Sequence, residues 1–225
     1  MMEWNFFAVL NDFDLLMLGL LNTLKVTGLA LLFGVPLGLV LALSRLSTFR
    51  PLSGVAGFIV EFFRTTPPLV QLFWFFFALP ILIDVRMTPL IAAVVTFSIQ
   101  SSAFFAEIFR GGIQSIDKGQ WEGAKAIGMS YVQSLRRVIL PQAVKRMIPA
   151  FMERSIELLK TTTLVSTVAY TDLMFQANEL AQKTFRPLEV YTVVAVIYFV
   201  LIFVVSQFSI WVERRLARSG EGTVH

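Results

Sequence analysis

The 225-residue chain is 56% hydrophobic and only 15% charged, well short of the roughly one-quarter charged residues of a soluble domain. It holds no cysteine and one histidine, His225, at its very end. This excludes a disulfide framework, a thiolate metal site and Ser/His or Cys/His catalysis. Its net charge of +4 reflects orientation in a bilayer rather than a nucleic-acid partner.

The opening Met-Met-Glu-Trp-Asn is acidic where a secretory signal is basic and lacks a small-residue cleavage site, so the mature chain is expected to begin there. A helix needs about 20 apolar residues to cross the hydrocarbon core. Residues 15–43 qualify, with Lys25 the only charge and Pro36 a kink site. Residues 54–83 form a second apolar stretch, interrupted by Glu61, Arg64 and the pair Pro67-Pro68. Proline removes a backbone donor and disfavours helix in the preceding residue, so a break is expected near 67. Residues 89–109 make a third span and 190–212 the last.

Residues 147–170 carry Glu153, Arg154, Glu157 and Lys160 and fit either a span or an amphipathic surface helix. Charge asymmetry favours a span. The first fourteen residues contain no lysine or arginine, whereas the tail holds Arg214, Arg215 and Arg218. The two ends should therefore face opposite sides, which needs an odd number of crossings. Five spans, with the N-terminus outside and the C-terminus cytoplasmic, place Arg45, Arg50, Arg110, Lys118, Lys125, Arg136, Arg137, Lys145 and Arg146 inside. Only Arg86, Lys183 and Arg186 then lie outside. The expected architecture is an all-α integral membrane protein with a single domain.

The longest cytoplasmic connection, residues 110–144, carries punctuation. Asp117 with Gln120 reads as a capping-box-like start, and Gly128 as a left-handed stop. Ser130 with Gln133 repeats the start, and Pro141 is expected to follow a second short helix. Trp121, Ala124 and Gly128 fall on one helical face, where small residues allow close approach by another protein, and Glu122 offers an orienting charge. A solvated hairpin without a partner fits the same pattern.

The stretch EGAKAIGMSYVQSLRRVILPQA resembles the EAA loop in the permease subunits of binding-protein-dependent ATP-binding-cassette importers. Glu122, Ala124, Gly128, Val138, Leu140 and Pro141 fall in register, and Gly123 replaces the usual first alanine. FFRTTPPLVQLFWFFFALP and FFAEIFRGGIQSIDKGQWEGA, with Glu107, Arg110, Gly111 and Gly112, resemble signatures of the polar amino-acid subgroup. The resemblance implies the type I importer permease architecture, a bacterial inner-membrane location and a loop that docks on a separate ATP-binding subunit. It also implies an extracytoplasmic solute-binding protein and a second permease chain, the same or related.

No Gly-x-x-x-x-Gly-Lys-Ser/Thr is present, so the chain has no phosphate cradle of its own. ATP and magnesium are expected in the partner, no cofactor in this chain, and no catalysis here. Five helices are also too few to enclose a solute pathway alone.

Intramembrane charges cost about 2.5–3.5 kcal/mol each on insertion scales and mark bundle interiors or wet cavities. Glu153, Glu157 and Lys160 share one helical side, and Glu157 can pair with Arg154 or Lys160. They either neutralise one another or line a pathway for a zwitterion, with membrane lipid around the bundle. Glu61 and Arg64 beside the proline break are a second pathway candidate; Arg64 equally suits a snorkelling boundary anchor. Gln100 either hydrogen-bonds between helices or faces the solute. Relatives commonly read Lys-Asp-Thr-Ser where this chain has Lys160-Thr161-Thr162-Thr163, a loss of carboxylate that disfavours a cationic amino acid. A proton-coupled transporter working without an ATPase, or a passive channel or scaffold, would give no reason for the loop spacing.

Overall fold

A computed structural model describes residues 6–218. The first five residues and His225, read above for leader and catalytic chemistry, lie outside them. The helices in chain order are α1 (Phe7–Leu10), α2 (Phe13–Arg45), α3 (Arg50–Thr65), α4 (Pro68–Ile83, with a π turn at Trp74–Ala78) and α5 (Pro89–Gln114). Then come α6 (Lys118–Ala126), α7 (131–161, with a π turn at Leu135–Ile139), a 3-10 segment Thr162–Val168, α8 (Leu173–Thr184) and α9 (Pro187–Arg218). No strand occurs among the described residues.

Among the described residues, the three helices long and apolar enough to cross a membrane singly are α2, α5 and Pro187–Arg215 of α9. Helices α3 and α4 meet that standard only as a pair, and they are bent by 105° at the break. The kink expected at Pro36 does not interrupt α2, which continues to Arg45.

The centre of the molecule is the α2–α5 seam. Leu16, Gly19, Thr23, Val26, Thr27, Ala30, Gly34, Gly38 and Ala42 are the buried residues of α2, and they recur every three or four positions. That spacing gives one helical stripe of mostly small side chains, which lets two backbones approach closely where apolar burial supplies little drive. A Cβ at Gly34 would lie 3.0 Å from the Ser98 carbonyl oxygen, and one at Gly38 would lie 2.9 Å from that of Ser102. The two helices thus run parallel in constant register, with Ala42 near Ala103 and Ala106.

The segment expected as one span over 147–170 is more complex. Its helix starts upstream at 131, accommodates Pro149, ends at Thr161 and continues as 3-10 turns to Val168. Ala169, at φ 56°, then ends the 3-10 segment, and the chain continues along α2, from Thr27 beside Thr162 to Asp12 beside Lys183. Helix α8, not anticipated from sequence, packs Leu173, Ala177, Leu180 and Ala181 against Leu16, Val190 and Val194.

Candidate functional sites on the hairpin and along the bundle

Helix α6 begins after Asp117, but not through the expected side-chain cap. The Asp117 backbone oxygen accepts from Gln120 N at 3.0 Å, while its carboxylate lies 4.0 Å from the Arg146 guanidinium. Arg146 also donates to the Ser115 carbonyl, tying the start of the hairpin to α7. Gly128 ends the helix at φ 80°, where a side chain would be strained. Met129 N donates to Ala124 O at 3.1 Å across that turn. At the next helix start, Ser130 Oγ accepts from Gln133 N at 3.4 Å and Gln133 Oε1 accepts from Ser130 N at 2.9 Å.

Pro141 does not follow the end of a short helix, as the sequence suggested. Helix α7 runs through it, and the π turn before it widens the coil. Pro141 then occupies the second position of the following α-helical segment, where a missing N–H costs least. The hairpin therefore grows out of the same rod that carries Arg154 and Glu157.

The faces of the hairpin are partly inverted relative to expectation. Ala124 is buried and Trp121 half-buried. The Trp121 indole stacks on Tyr131 at 5.6 Å between centroids, and it packs on the Ile116, Ile139, Ala143 and Met147 cluster. These two residues brace the hairpin from within because the returning helix lies beside them. The outer surface carries Glu122, Gly123, Gly128, Leu140 and Pro141. It also exposes Ile127, Tyr131 and Val132, at 73%, 70% and 67%. Large apolar side chains so displayed on an internally braced unit form a surface suited to a protein partner.

Further along α7, Glu153, Glu157 and Lys160 are all exposed while Arg154 is buried. Glu157 takes the Arg154 option, accepting from Arg154 Nη1 at 2.8 Å. The Arg154 guanidinium lies 3.5 Å from the centroid of Phe104, so its charge is held by a carboxylate and a ring face. Thr161 donates its hydroxyl to the Glu157 carbonyl at 2.8 Å. Gln100 is buried in α5, its Oε1 without a protein partner.

At the bend, Gln71 supplies what the prolines remove. Its Nε2 donates to Phe63 O at 3.0 Å and Thr66 O at 2.9 Å, capping the free carbonyls at the end of α3. Arg64 lies 3.7 Å from Glu61, 3.9 Å from Glu107 and 5.6 Å from the Phe104 ring. It belongs to an ion-pair knot. Glu107 also receives Arg45 from α2 and, at 2.7 Å, Arg110 from its own helix. One carboxylate thus joins three guanidiniums from three helices at one end of the bundle. Sequence reading placed Glu107 within a signature but gave no sign of this convergence. It also missed the inward turn of Arg154, the role of Gln71 and the buried Asp172. Only the rarity of charge at these positions hinted at them.

Residues 34–218 match the family described as "Binding-protein-dependent transport system inner membrane component". The chain is 36% identical to the arginine transport system permease protein ArtQ of Bacillus subtilis over 215 residues, covering 96% of this chain and 98% of that protein. It is 33% identical to the glutamate/aspartate import permease protein GltK of Escherichia coli over 224 residues, 96% and 100% of the respective chains. Among solved structures, a chain of an amino acid ABC transporter crystallised with histidines superposes with a TM-score of 0.91 at 37% identity, covering 95% of this chain and 100% of that one. A chain of the MetNI methionine transporter shares the fold at TM-score 0.74 and 22% identity.

Proposed function

The chain belongs to the family of binding-protein-dependent transport system inner membrane components, and from that premise we propose that it forms half of the translocation pathway of an ATP-driven importer for polar amino acids. The observation that carries this reading is the hairpin at residues 118–139, braced inside by Trp121 and displaying Glu122, Ile127, Tyr131 and Val132 outward. A separate ATP-binding subunit would seat on that surface. Its movement would pass through the continuous rod of α7 to Arg154, Glu157 and Lys160. The family match favours this over a proton-coupled transporter acting alone.

In this reading α2, α4, α5, the core of α7 and α9 are five crossings. The N-terminus faces outward and the C-terminus lies in the bacterial cytoplasm. A second permease chain closes the pathway, and an external binding protein delivers solute. The chain itself performs no catalysis; ATP and magnesium bind its partner.

Co-purification with products of neighbouring genes tests the dock. An ATP-binding subunit should accompany the native chain and be lost with Glu122→Arg, a surface change, and with Gly128→Val, which strains the turn. Retention in both variants would remove the hairpin from the interface.

The solute follows from local charge. Arg154 occupies Glu157, and position 161 holds a threonine whose hydroxyl is engaged with backbone. This leaves Lys160 exposed to favour a neutral or acidic side chain over a cationic one. Strong inhibition of uptake by arginine or lysine, with none by glutamine or glutamate, would reject that assignment.

A further inference from the structure

Helix α3 does not travel along the bundle. Ser53 donates to the Arg45 carbonyl at 2.9 Å, Val60 packs among Ala42, Ala103 and Ala106, and Arg64 lies 3.9 Å from Glu107. Eleven residues, about 16 Å of helix, therefore remain level with one turn of α2 (42–45) and one of α5 (103–107). A helix rising antiparallel to α2 would have carried Arg64 about three turns further in. The 105° bend to α4 follows from that flat course.

Three faces of α3 differ. One, with Ala56, Val60 and Phe63, packs on the bundle. A second carries Arg50, Gly54, Glu61 and Thr65. The third exposes Leu52, Val55, Phe58 and Phe62, with Phe58 at 72%, about 105° around the helix from the polar residues. This apolar stripe continues into a crevice of about 310 Å³ inside the bend, lined by Phe62, Phe63, Val70 and Trp74 among others. The exposed apolar surface of α2 runs through Leu39, Val40 and Leu43 and gives way to Arg45. The level of α3 is thus the level at which the outer surface changes from hydrocarbon-like to charged.

We propose that α3 is an interfacial helix seated in the cytoplasmic leaflet, with Leu52, Val55, Phe58 and Phe62 among the acyl chains and Arg50 pairing with anionic phospholipid headgroups. An apolar stripe beside a polar face that begins with the exposed Arg50 is complementary to a negatively charged bilayer surface. The Arg64–Glu107–Arg45 knot fastens the helix to α2 and α5, so the bundle is braced against that leaflet. The choice of leaflet rests on the orientation given under Proposed function; the flat course does not.

The sequence has no cysteine, so single cysteines carrying a nitroxide can be placed without background. Leu52→Cys, Val55→Cys, Phe58→Cys and Phe62→Cys would be reconstituted as the full chain in nanodiscs of phosphatidylcholine with phosphatidylglycerol. Depth is read from relative accessibility to oxygen and to a water-soluble nickel chelate, with Gly54→Cys as the polar-face control. Positions 52 and 62 are expected at equal depth to within about one turn, 5 Å, with oxygen favoured at all four. A gradient of about 15 Å between them, nickel access at all four, or exclusion of both reagents by a second copy or a protein partner would each overturn the proposal. Residue 58 should lie shallower in phosphatidylcholine alone, and Arg50→Gln should abolish that difference. Equal depth in both lipids for the native Arg50 would refute the headgroup pairing. Labelling of Ser47→Cys by a membrane-impermeant thiol reagent in intact cells, against permeabilised ones, reports the side separately, so an error of orientation is distinguishable from an error about α3.

Discussion

Replacing Gly38 by alanine isolates the close packing on which the α2–α5 seam depends. A Cβ there would sit 2.7 Å from Phe105 Cβ, 2.9 Å from Ser102 O and 3.3 Å from Ala106 N. Two of these atoms are backbone and the third is the first carbon of a fully buried side chain, so no flexible end can swing away. Ordinary van der Waals separation requires the helices to part by about 0.7–1 Å, and overpacking of this kind costs about 1–3 kcal/mol. Alanine gains up to about 1 kcal/mol of helix propensity over glycine, which offsets only part of that cost. Gly28→Ala is the matched control in the same helix: its Cβ meets no atom within 4 Å, so the propensity gain stands alone. Thermal denaturation of the detergent-solubilised chain, followed by loss of the monodisperse size-exclusion peak, should show Gly38→Ala several degrees below native and Gly28→Ala at or above it. The reasoning fails if Gly38→Ala melts with or above Gly28→Ala.

Two further outcomes follow from buried charge. Asp172 is fully buried, caps α8 through Phe175 N at 2.9 Å and leaves Oδ2 without a protein partner; burial pushes its carboxyl up to about 6, against backbone hydrogen bonds that pull it down. Because the folded-state value is raised, stability is greatest below about pH 4 and falls as pH rises through 6. A shift of about two units corresponds to about 3 kcal/mol. Asp172→Asn keeps the cap without titrating, so its melting temperature should exceed native at pH 7.5 and converge with it near pH 4; an equal gap at both pH values would reject the assignment. Glu107→Gln removes the carboxylate shared by Arg45, Arg64 and Arg110 and should destabilise the chain by about 1.5–3 kcal/mol. The exposed Glu153→Gln should stay within about 0.5 kcal/mol of native, and equal melting of the two variants would show that the knot contributes nothing.

Much of the candidate docking hairpin was legible because its signals are local. The positive φ at Gly128 and the reciprocal Ser130–Gln133 bonds concern neighbouring backbone groups, which the side-chain types specify directly. Pro141 misled for a related reason: a proline forbids one hydrogen bond, but it does not say whether the chain stops or widens into a π turn and continues. The orientation of Trp121 and Ala124 was beyond local inference, since periodicity defines a face without saying what lies against it. Ile116, Ile139 and Ala143, packed against Trp121, decide that the face points inward.

Long apolar runs determined the helices at 13–45, 89–114 and 187–218, because burying a backbone in hydrocarbon demands internal hydrogen bonding whatever the rest of the chain does. Pro67-Pro68 likewise determined that the second apolar stretch must break. Only the tertiary structure decided that the break turns α3 sideways, because that direction depends on small residues of α2 and α5 receiving Val60 and on Gln71 capping the loose carbonyls. Only tertiary structure, too, brought Arg45, Arg64 and Arg110 onto Glu107. Arg45 and Glu107 stand 62 positions apart, and a charge reaches across space, not along sequence.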